Sequence, residues 1–362
     1  MLDTRPVRVA VVGYGYWGSK HVRVLSGRHD VSVVVVDESE ERREAAATHH
    51  RGIGTASCLA DVLDVVDAVI VATPPTSHAK LALTALQARC PVLVEKPLAT
   101  SAADAENLVA EAAQNGVVLM TGHTFEYNSA VTKLKEVVSS GTLGRILYID
   151  AARLSLGRYQ PDVDVVWDLA PHDISILSHL LDELPTAVSV WKQRNIGDRF
   201  ADVAYLRMFF ERAATHAVVH VSWLDPCKVR QVTVVGDQRM AVYNDLSDNE
   251  RIRIYDSGVD LHRVDTHGTA RTMPVTYRSG DIVSPYLYFH EPLQVQDDHF
   301  VDCVRTGSRP RTPGERGLDI VRVLEAADAA GVSGDVEPVV ARALHADSER
   351  GMSACMGRDT HQ

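Results

Sequence analysis

A continuous apolar run that leads straight into three spaced glycines is the feature that most restricts how this chain can fold. Val7–Val12 reads VRVAVV, a pattern typical of a parallel strand that is buried on both faces. Gly13, Gly15 and Gly18 follow at the G-x-G-x-x-G spacing, and a helical pattern continues to about Ser26. A strand, a tight glycine turn and a helix in this order predict the first βα unit of a doubly wound sheet, with a phosphate-binding turn at the helix N-terminus.

An acidic residue at the end of the next strand bears on which nucleotide this turn would hold. Val31–Val36 reads VSVVVV and is followed by Asp37, close to the spacing of about 20 residues expected of a ribose-binding acid. A carboxylate here accepts hydrogen bonds from a ribose 2′-hydroxyl and repels a 2′-phosphate, which favours NAD over NADP. Arg42 and Arg43 lie a helical turn farther on and could neutralise a phosphate, so NADP is the less favoured alternative.

Strand and helix patterns alternate through the first third of the chain. Apolar runs at 68–72, 92–94 and 117–120 predict strands, and helical patterns at 38–48, 76–87 and 102–114 separate them. Alternating strands and helices joined by short loops predict right-handed βαβ units. We therefore expect an α/β protein in which residues 1–122 form an N-terminal Rossmann domain with a doubly wound parallel sheet.

The pattern changes after about Gly122. Helices are predicted at 129–139, 165–181, 291–305 and 314–330, and strands at 187–192, 203–210, 216–223, 229–235, 240–243 and 251–255. Asp225-Pro226 and Gly236-Asp237 are predicted to be turns, and residues 154–158 a loop. Consecutive strands of this kind predict a C-terminal α+β domain over residues 123–340 with a large, mostly antiparallel open sheet. Residues 341–362 lack periodicity and are predicted to be a flexible tail.

Charge and cysteine usage exclude several classes of function. The chain carries 37 Lys and Arg against 48 Asp and Glu, a formal net charge of −11, so it lacks the basic surface of a nucleic-acid-binding protein. Its five cysteines form no C-x-x-C pair and no spacing typical of a zinc site, so we expect no metal. Scattered cysteines, an N-terminus that enters a strand at once and the lack of a long apolar run predict a cytoplasmic protein without a membrane segment.

Three further segments complete a recognisable pattern. They are residues 72–78 (ATPPTSH), Glu95-Lys96-Pro97 and Asp168-Leu169-Ala170-Pro171-His172. Together with the glycine turn they resemble the glucose–fructose oxidoreductase / inositol dehydrogenase / rhizopine-catabolism family (Gfo/Idh/MocA), over about residues 5–335. Members of that family oxidise or reduce a ring carbon of sugars, sugar nucleotides or cyclitols with a nicotinamide cofactor. The resemblance also implies that the open sheet of the second domain assembles homodimers or homotetramers.

The resemblance assigns the catalytic lysine to Lys96, with a cis bond between Lys96 and Pro97, and acid/base chemistry to Asp168 and His172. The chemistry of the residues agrees. Lys96 follows the carboxyl end of a strand, where open α/β sheets bind ligands, and an ammonium group there can stabilise a developing alkoxide. Asp168 and His172 lie one helical turn apart, so His172 can take a hydroxyl proton while Asp168 orients the ring or holds a sugar hydroxyl. By spacing alone, an exposed loop lysine and a surface Asp/His pair are the alternatives.

The same resemblance supplies two sets of binding residues. The expected cofactor contacts are Gly13, Gly15, Tyr16, Trp17, Gly18, Asp37, Thr73, Pro74, His78, Glu95 and Lys96. The expected substrate contacts are His123, Asn128, Arg153, Asp168 and His172.

These residues predict an NAD-dependent oxidoreductase that acts on a secondary ring hydroxyl or ketone of a sugar unit. A sugar nucleotide, as in 3-keto sugar formation, is one substrate class. An amino-sugar or aminoglycoside intermediate is another, because Glu126, Asp168 and Asp173 could make the cleft acidic. An NADPH-dependent ketosugar reductase and a cyclitol dehydrogenase are alternatives within the same chemistry. A non-catalytic NAD-binding regulator is the alternative from another class.

Overall fold

Six short runs rich in small and branched apolar residues form the first of two sheets. The structure is a computed structural model of the chain that describes residues 5–261 and 275–339. The strands are β1 Val7–Val12, β2 Val31–Val36, β3 Gly54–Ala56, β4 Ala68–Val71, β5 Val92–Glu95 and β6 Leu119–Gly122. All pair in parallel in the order β3-β2-β1-β4-β5-β6. This is the strand order of a dinucleotide-binding Rossmann sheet, so the predicted doubly wound sheet is confirmed. Strand β3 is short and largely exposed, and the sequence prediction lacks it.

Four helices connect these strands and cover the sheet. They are α1 Tyr16–Ser26, α2 Glu40–His49, α3 Pro75–Gln87 and α4 Ala102–Asn115. Local chemistry sets several of their ends: the hydroxyl groups of Ser39 and Ser101 accept backbone N–H bonds at the starts of α2 and α4. Helix α4 ends at Gly116, whose φ of 66° is the left-handed conformation that glycine tolerates best. The predicted helices therefore lie where expected, within about two residues at each end.

Nine strands form the second sheet. They are β7 Ile146–Leu156, β8 Ala187–Gln193, β9 Val203–Phe210, β10 Thr215–Ser222, β11 Leu224–Gly236, β12 Met240–Asn244, β13 Ile252–Leu261, β14 Val275–Val283 and β15 Glu337–Pro338. Their order is β14-β13-β12-β11-β7-β10-β9-β8-β15. Every neighbouring pair is antiparallel except β7 with β10, which confirms the mostly antiparallel open sheet.

The prediction of a loop at residues 154–158 is wrong for most of that segment. Residues 146–156 form β7, which lies in the middle of the sheet between β10 and β11. Its inward-facing residues include Ile149, Ala151 and Arg153. Buried and exposed residues alternate along β7 as in other strands. Two of its buried positions hold a small and a charged residue, so the sequence lacks the large apolar side chains that would indicate a strand. Tertiary contacts therefore decide this element.

The prediction of a turn at Asp225-Pro226 is also wrong. Both residues lie within β11, at a place where its pairing with β7 changes register. Leu224 pairs with Leu156, whereas Val229 pairs with Leu154, so the intervening residues bulge out of the ladder. A bulge accommodates proline within a strand because no ladder N–H is needed there. The dipeptide marks a bulge rather than a chain reversal.

Four more helices complete the fold: α5 Ser129–Ser139, α6 Val165–Leu181, α7 Pro292–Thr306 and α8 Gly314–Ser333. Short 3-10 helices lie at Leu59–Asp61 and Thr124–Tyr127. Helix α6 packs on the inner face of the second sheet, and α8 lies between α4 and β8, so one apolar core runs from the first sheet to the second. Within the described ranges, no helix combines the length and hydropathy needed to cross a bilayer. The predicted tail at 341–362 lies outside these ranges.

A buried histidine ties together three elements around the edge of the first sheet. His21 of α1 is completely buried, and its Nδ1 lies 2.9 Å from Oδ1 of Asp297 in α7. Its Nε2 lies 3.1 Å from Oε1 of Glu95, at the end of β5. Burial alone would lower the pKa of His21, but the two carboxylates outweigh it and raise that pKa to about 10. His21 is therefore a buried imidazolium that holds the segment before Lys96 against the helix after the glycine turn.

This charge state makes the stability of the fold depend on pH. Because the folded-state pKa of His21 lies above its ordinary value of 6.5, its stabilising contribution is complete below pH 6.5 and is lost as the pH rises through about 10. We expect the free energy of unfolding to fall as the pH rises from 6.5 to about 8.5, by at most about 1.4 kcal/mol per pH unit. His21→Gln should lose this slope.

Urea unfolding at a series of pH values measures the dependence. His29→Gln, at an exposed position in the loop after α1, is the matched control and should keep the wild-type slope. The same slope in His21→Gln as in the wild type would contradict a protonated His21.

Candidate active site

The glycine turn leaves an open space beside the start of α1. A Cβ at Gly18 would lie 1.7 Å from the carbonyl oxygen of Gly13, and a Cβ at Gly13 would lie 2.9 Å from the carbonyl oxygen of Ala72. Both positions therefore need glycine for the packing of the turn itself. Gly15 differs, because a Cβ there would meet no protein atom within 4 Å. Helix α1 begins after Gly15 with no side-chain cap, so its first-turn N–H groups and its positive end are available to an anion.

Asp37 lies beside this turn with part of its hydrogen-bonding capacity unused. Its Oδ2 accepts the backbone N–H of Tyr14 at 2.7 Å, and its Oδ1 accepts that of Ser39 at 2.9 Å. Each carboxylate oxygen can accept a second hydrogen bond, which suits a ribose diol. Nη1 of Arg42 lies 3.6 Å from Oδ2 of Asp37. Arg43 donates to the carbonyl oxygens of Asp37 and Glu38. The two arginines are thus already engaged with the carboxylate and the backbone of this loop.

The other residues expected at the cofactor lie along the same edge of the sheet. Tyr16 and Trp17 form the first turn of α1, with their rings edge to face. Thr73 and Pro74 follow β4, and Pro74 precedes the first residue of α3. His78 is buried between the carbonyl oxygens of Thr73 and Pro97, at 2.8 and 2.7 Å, and so fastens the loop after β4 to the loop after β5.

Glu95, an expected cofactor contact, directs its carboxylate into the protein. Oε1 faces His21 inside the buried cluster, and Oε2 accepts the backbone N–H of Lys96 at 3.2 Å. The side chain is buried. Glu95 therefore acts within the protein, because its charge is neutralised there by His21.

Lys96 reaches across to the second half of the molecule. The Lys96–Pro97 bond is cis, as the resemblance implies. The Lys96 ammonium donates to the backbone carbonyl of Asp168 at 2.6 Å and lies 3.3 Å from Oδ1 of the same residue. The other oxygen of Asp168, Oδ2, accepts the indole N–H of Trp223 at 3.1 Å. One carboxylate on the first turn of α6 thus lies between an ammonium group and an indole.

His172 lies one turn farther along α6, and its Nδ1 is buried without a hydrogen-bond partner. The ring of Phe125 packs against it, with ring centroids 5.0 Å apart and an edge-to-face angle. Burial lowers the pKa of His172 well below its ordinary value, and the charges of Lys96 and Arg153 lower it further. The carboxylate of Asp168 contacts Lys96 and Trp223, and no hydrogen bond joins it to this ring among the described residues.

His123 follows β6 and is the most enclosed of the polar side chains in this region. It is 1% exposed, and neither ring nitrogen has a hydrogen-bond partner. Burial lowers its pKa to about 4, and Arg316 and Lys96 contribute in the same direction, so the ring is neutral at physiological pH. A buried polar group without a partner is costly in a folded protein and calls for an explanation.

Two residues predicted to contact substrate already have partners within the protein. Asn128 caps α5: its side-chain oxygen accepts the N–H of Ala130 at 2.9 Å, and its amide nitrogen donates to the hydroxyl of Tyr243 at 3.1 Å. Arg153 forms a buried bidentate pair with Asp173, at 2.7 and 2.9 Å. A contact of either residue with substrate stays a prediction.

The expected acidic cleft is also absent among these residues. Glu126 pairs with Arg316 at 3.2 Å, accepts a hydrogen bond from Ser175 and is buried. Asp173 pairs with Arg153, and Asp168 pairs with Lys96. Because each carboxylate has a basic partner, none of the three supplies uncompensated negative charge to bind a cationic substrate.

The sequence prediction missed two aromatic residues of the site. Trp223 lies immediately after β10 and bonds Asp168, and Phe125 packs on His172 while the Arg153 guanidinium lies 4.5 Å from the centre of its ring. Neither residue belongs to a motif with a chemical signature, so no local signal marks them. In the part of the chain that the structure describes, no group of three or more His, Cys, Asp or Glu residues is arranged to hold a metal ion.

Comparison with known proteins identifies the family. Residues 7–123 match the family model described as "Oxidoreductase family, NAD-binding Rossmann fold", and residues 131–242 match the "GFO/IDH/MocA C-terminal domain". The chain is 34% identical over 197 residues to inositol 2-dehydrogenase of Rhodococcus erythropolis, a match that covers 52% of this chain but only 57% of that protein. It is 25% identical over 331 residues to myo-inositol 2-dehydrogenase of Thermotoga maritima, which covers 86% of this chain and 92% of that protein.

Solved structures have the same fold as this chain. The crystal structure of GenD2 from gentamicin A biosynthesis, in complex with NAD, superimposes with a TM-score of 0.78. The sequences are 24% identical, and the superposition covers 93% of this chain and 97% of that one. The glycine turn, the strand order and both family matches lead to one conclusion: the chain belongs to the Gfo/Idh/MocA family of oxidoreductases, with an NAD-binding Rossmann domain.

Proposed function

We propose that this enzyme transfers hydride between NAD and a secondary hydroxyl or ketone carbon on the ring of a sugar unit. One observation carries the proposal. Three imidazole nitrogens, both of His123 and Nδ1 of His172, are buried without hydrogen-bond partners, and the nearby charge of Lys96 lowers the pKa of both rings. A ligand with several hydroxyl groups would supply the missing partners, because each hydroxyl both donates and accepts.

Three features of the first domain fit NAD. The space beside Gly15 leaves room for a pyrophosphate close to the backbone, and the uncapped start of α1 offers it N–H groups. The spare acceptor sites of Asp37 suit the adenosine ribose. When bound, NAD accepts the hydride that leaves the carbinol carbon, or returns it in the reverse direction.

The protein's own residues handle the proton and the oxygen. The neutral His172 ring, with Nδ1 free of protein partners, takes the hydroxyl proton during oxidation and returns it during reduction. The Lys96 ammonium stabilises the negative charge that develops on the substrate oxygen. Asp168 keeps this ammonium group in place through its carbonyl and carboxylate oxygens.

The neutral character of the cleft bears on the substrate class. Because the nearby carboxylates are paired with basic groups, we favour an uncharged polyol surface, as in a sugar or the sugar part of a sugar nucleotide, over an amino sugar. A cyclitol is the second candidate, supported by the likeness to two inositol dehydrogenases. NADH formation followed at 340 nm over a panel of sugar nucleotides, cyclitols, aminoglycosides and simple sugars distinguishes these classes. Tight binding of NAD without turnover of any of them would instead favour a non-catalytic regulator.

The cofactor site is tested at two glycines that differ in their surroundings. Gly15→Ala should fold with the thermal stability of the wild type, because its Cβ meets no protein atom, yet bind NAD roughly tenfold more weakly or worse. Gly18→Ala should lose stability as well, since its Cβ would overlap Gly13. Calorimetric titration with NAD and thermal unfolding measure the two effects. Gly197→Ala, whose Cβ also meets nothing within 4 Å, is the control for an added methyl group. Unchanged NAD affinity in Gly15→Ala would argue against this site.

The catalytic roles are tested by removing each group. Lys96→Ala and His172→Ala should each lower kcat by roughly 10²-fold or more while NAD binding is retained, the scale typical of a general acid or base. In Lys96→Ala the acid limb of the kcat profile should also move to higher pH, because the Lys96 charge holds the pKa of His172 down. Lys80→Ala, an exposed lysine on α3, is the control. Wild-type turnover in both active-site variants would rule out this mechanism.

We also propose that the chain forms a homodimer or homotetramer through the outer face of the second sheet. Trp191, Tyr205 and His220 form a cross-strand row there, with Tyr205 stacked on His220 at 4.0 Å between ring centroids. Trp191 is 55% exposed and Tyr205 43% exposed, which is unusual for large aromatic side chains on a strand surface. Sedimentation velocity should show an oligomer that Tyr205→Arg dissociates and that Val65→Arg, an exposed residue of the first domain, leaves intact. A monomeric wild type would exclude the assembly.

A further inference from the structure

Among the described residues, Trp223 is the one tryptophan that donates a hydrogen bond to an expected catalytic residue. It is 1% exposed, and its indole Nε1–H donates to Oδ2 of Asp168 at 3.1 Å. The opposite oxygen, Oδ1, lies 3.3 Å from the Lys96 ammonium. The carboxylate is therefore held at both oxygens, and its orientation toward Lys96 depends on the donor on the far side.

The indole itself is held in place by its surroundings. The backbone N–H of Trp223 donates to the carbonyl of Asp202 at 2.9 Å, and its carbonyl accepts the N–H of Gly157 at 2.8 Å. Tyr159 packs on the indole with ring centroids 5.0 Å apart and donates its hydroxyl to Asp202. A Cβ at Gly157 would lie 2.8 Å from Cδ1 of Trp223, so the backbone of residue 157 closes over the ring. These contacts fix the backbone of Trp223 and pack against its ring.

We infer that Trp223 is a positioning residue that acts on Lys96 through Asp168. The inference rests on the proposed function of Lys96. A hydrogen bond from the indole stabilises the ionised carboxylate, and an ionised, fixed carboxylate holds the Lys96 ammonium at one place near the substrate oxygen. Without the indole bond, the carboxylate is freer to rotate, and the ammonium group loses its fixed partner.

Trp223→Phe deletes the N–H but keeps an aromatic ring under Tyr159. We expect kcat to fall roughly 10-fold or more with little change in KM, since hydrogen bonds to charged groups are about this strong. In an Asp168→Ala background, Trp223→Phe should have little further effect, since the residue acts through that carboxylate.

Trp167→Phe is the matched control. Trp167 also donates its indole N–H to a carboxylate, Oδ2 of Asp328, at 2.7 Å, but that carboxylate pairs with Lys192 and not with Lys96. Its kcat should match that of the wild type. A wild-type kcat in Trp223→Phe, or an equal loss of kcat with and without Asp168, would overturn the inference and leave Trp223 as a core residue.

Gly157→Ala tests the same point if Trp223→Phe does not fold. Its Cβ should displace the indole from Asp168 and lower kcat in the same way, with little change in KM. A wild-type kcat in Gly157→Ala would likewise count against the inference.

An NMR measurement separates this inference from the proposed function, because it needs no turnover. The chain has four tryptophans, hence four indole ¹H–¹⁵N signals, which single Trp→Phe variants of the other three assign by elimination. Asp168→Ala should shift the Trp223 signal and leave the Trp191 signal in place. An unmoved Trp223 signal would mean that the hydrogen bond is absent and would refute the inference. If Lys96→Ala retained full turnover, the proposed function would fail even with the Trp223 signal shifted.

Discussion

The buried contact of His21 with Glu95 and Asp297 is the constraint on which the arrangement of the first domain depends. These residues lie in α1, at the end of β5 and in α7, so a single imidazolium joins the helix of the glycine turn, the strand that precedes Lys96 and a helix from near the end of the described chain. A buried charge is stable only with close partners, and removing one partner leaves the others uncompensated. The positions of Gly13–Gly18 and Lys96 relative to each other follow from this cluster.

Electrostatic pairing around the cleft has a chemical consequence. Asp168, Asp173 and Glu126 each have a basic partner, so the region contains ionised groups but little unbalanced charge. Burial in such surroundings keeps His123 and His172 neutral: at His123 it outweighs the attraction of Glu126 and Glu95 for a charged ring, and at His172 the charges of Lys96 and Arg153 add to it. A neutral imidazole is able to accept a hydroxyl proton, whereas an imidazolium is not. The ion pairs thus favour a base beside Lys96 rather than a second cation.

Much of the fold could be predicted from local patterns. The strands of the first sheet other than β3 are largely buried and appear as apolar runs, and α5 and α6 begin and end where their periodicity indicates. The pattern failed at β7, where Ala151 and the paired Arg153 occupy inward positions, and at Pro226, which lies in a bulge. In both places the local sequence disfavours a strand, and contacts with residues distant in sequence stabilise the strand nevertheless. A pattern read from one segment cannot reveal those contacts.

The candidate site divides in the same way. The glycine turn, Asp37, the Glu95-Lys96-Pro97 segment and the one-turn spacing of Asp168 and His172 are local features. The sequence by itself therefore determined the cofactor-binding half, and it predicted which residues would carry the chemistry. Only the tertiary structure decided that Asp168 contacts Lys96 and Trp223 rather than His172, that Asn128 caps a helix, and that Arg153 neutralises Asp173. The physical reason is that a side chain's partner depends on which segments the two sheets and α8 bring together, and spacing along one segment does not contain that information.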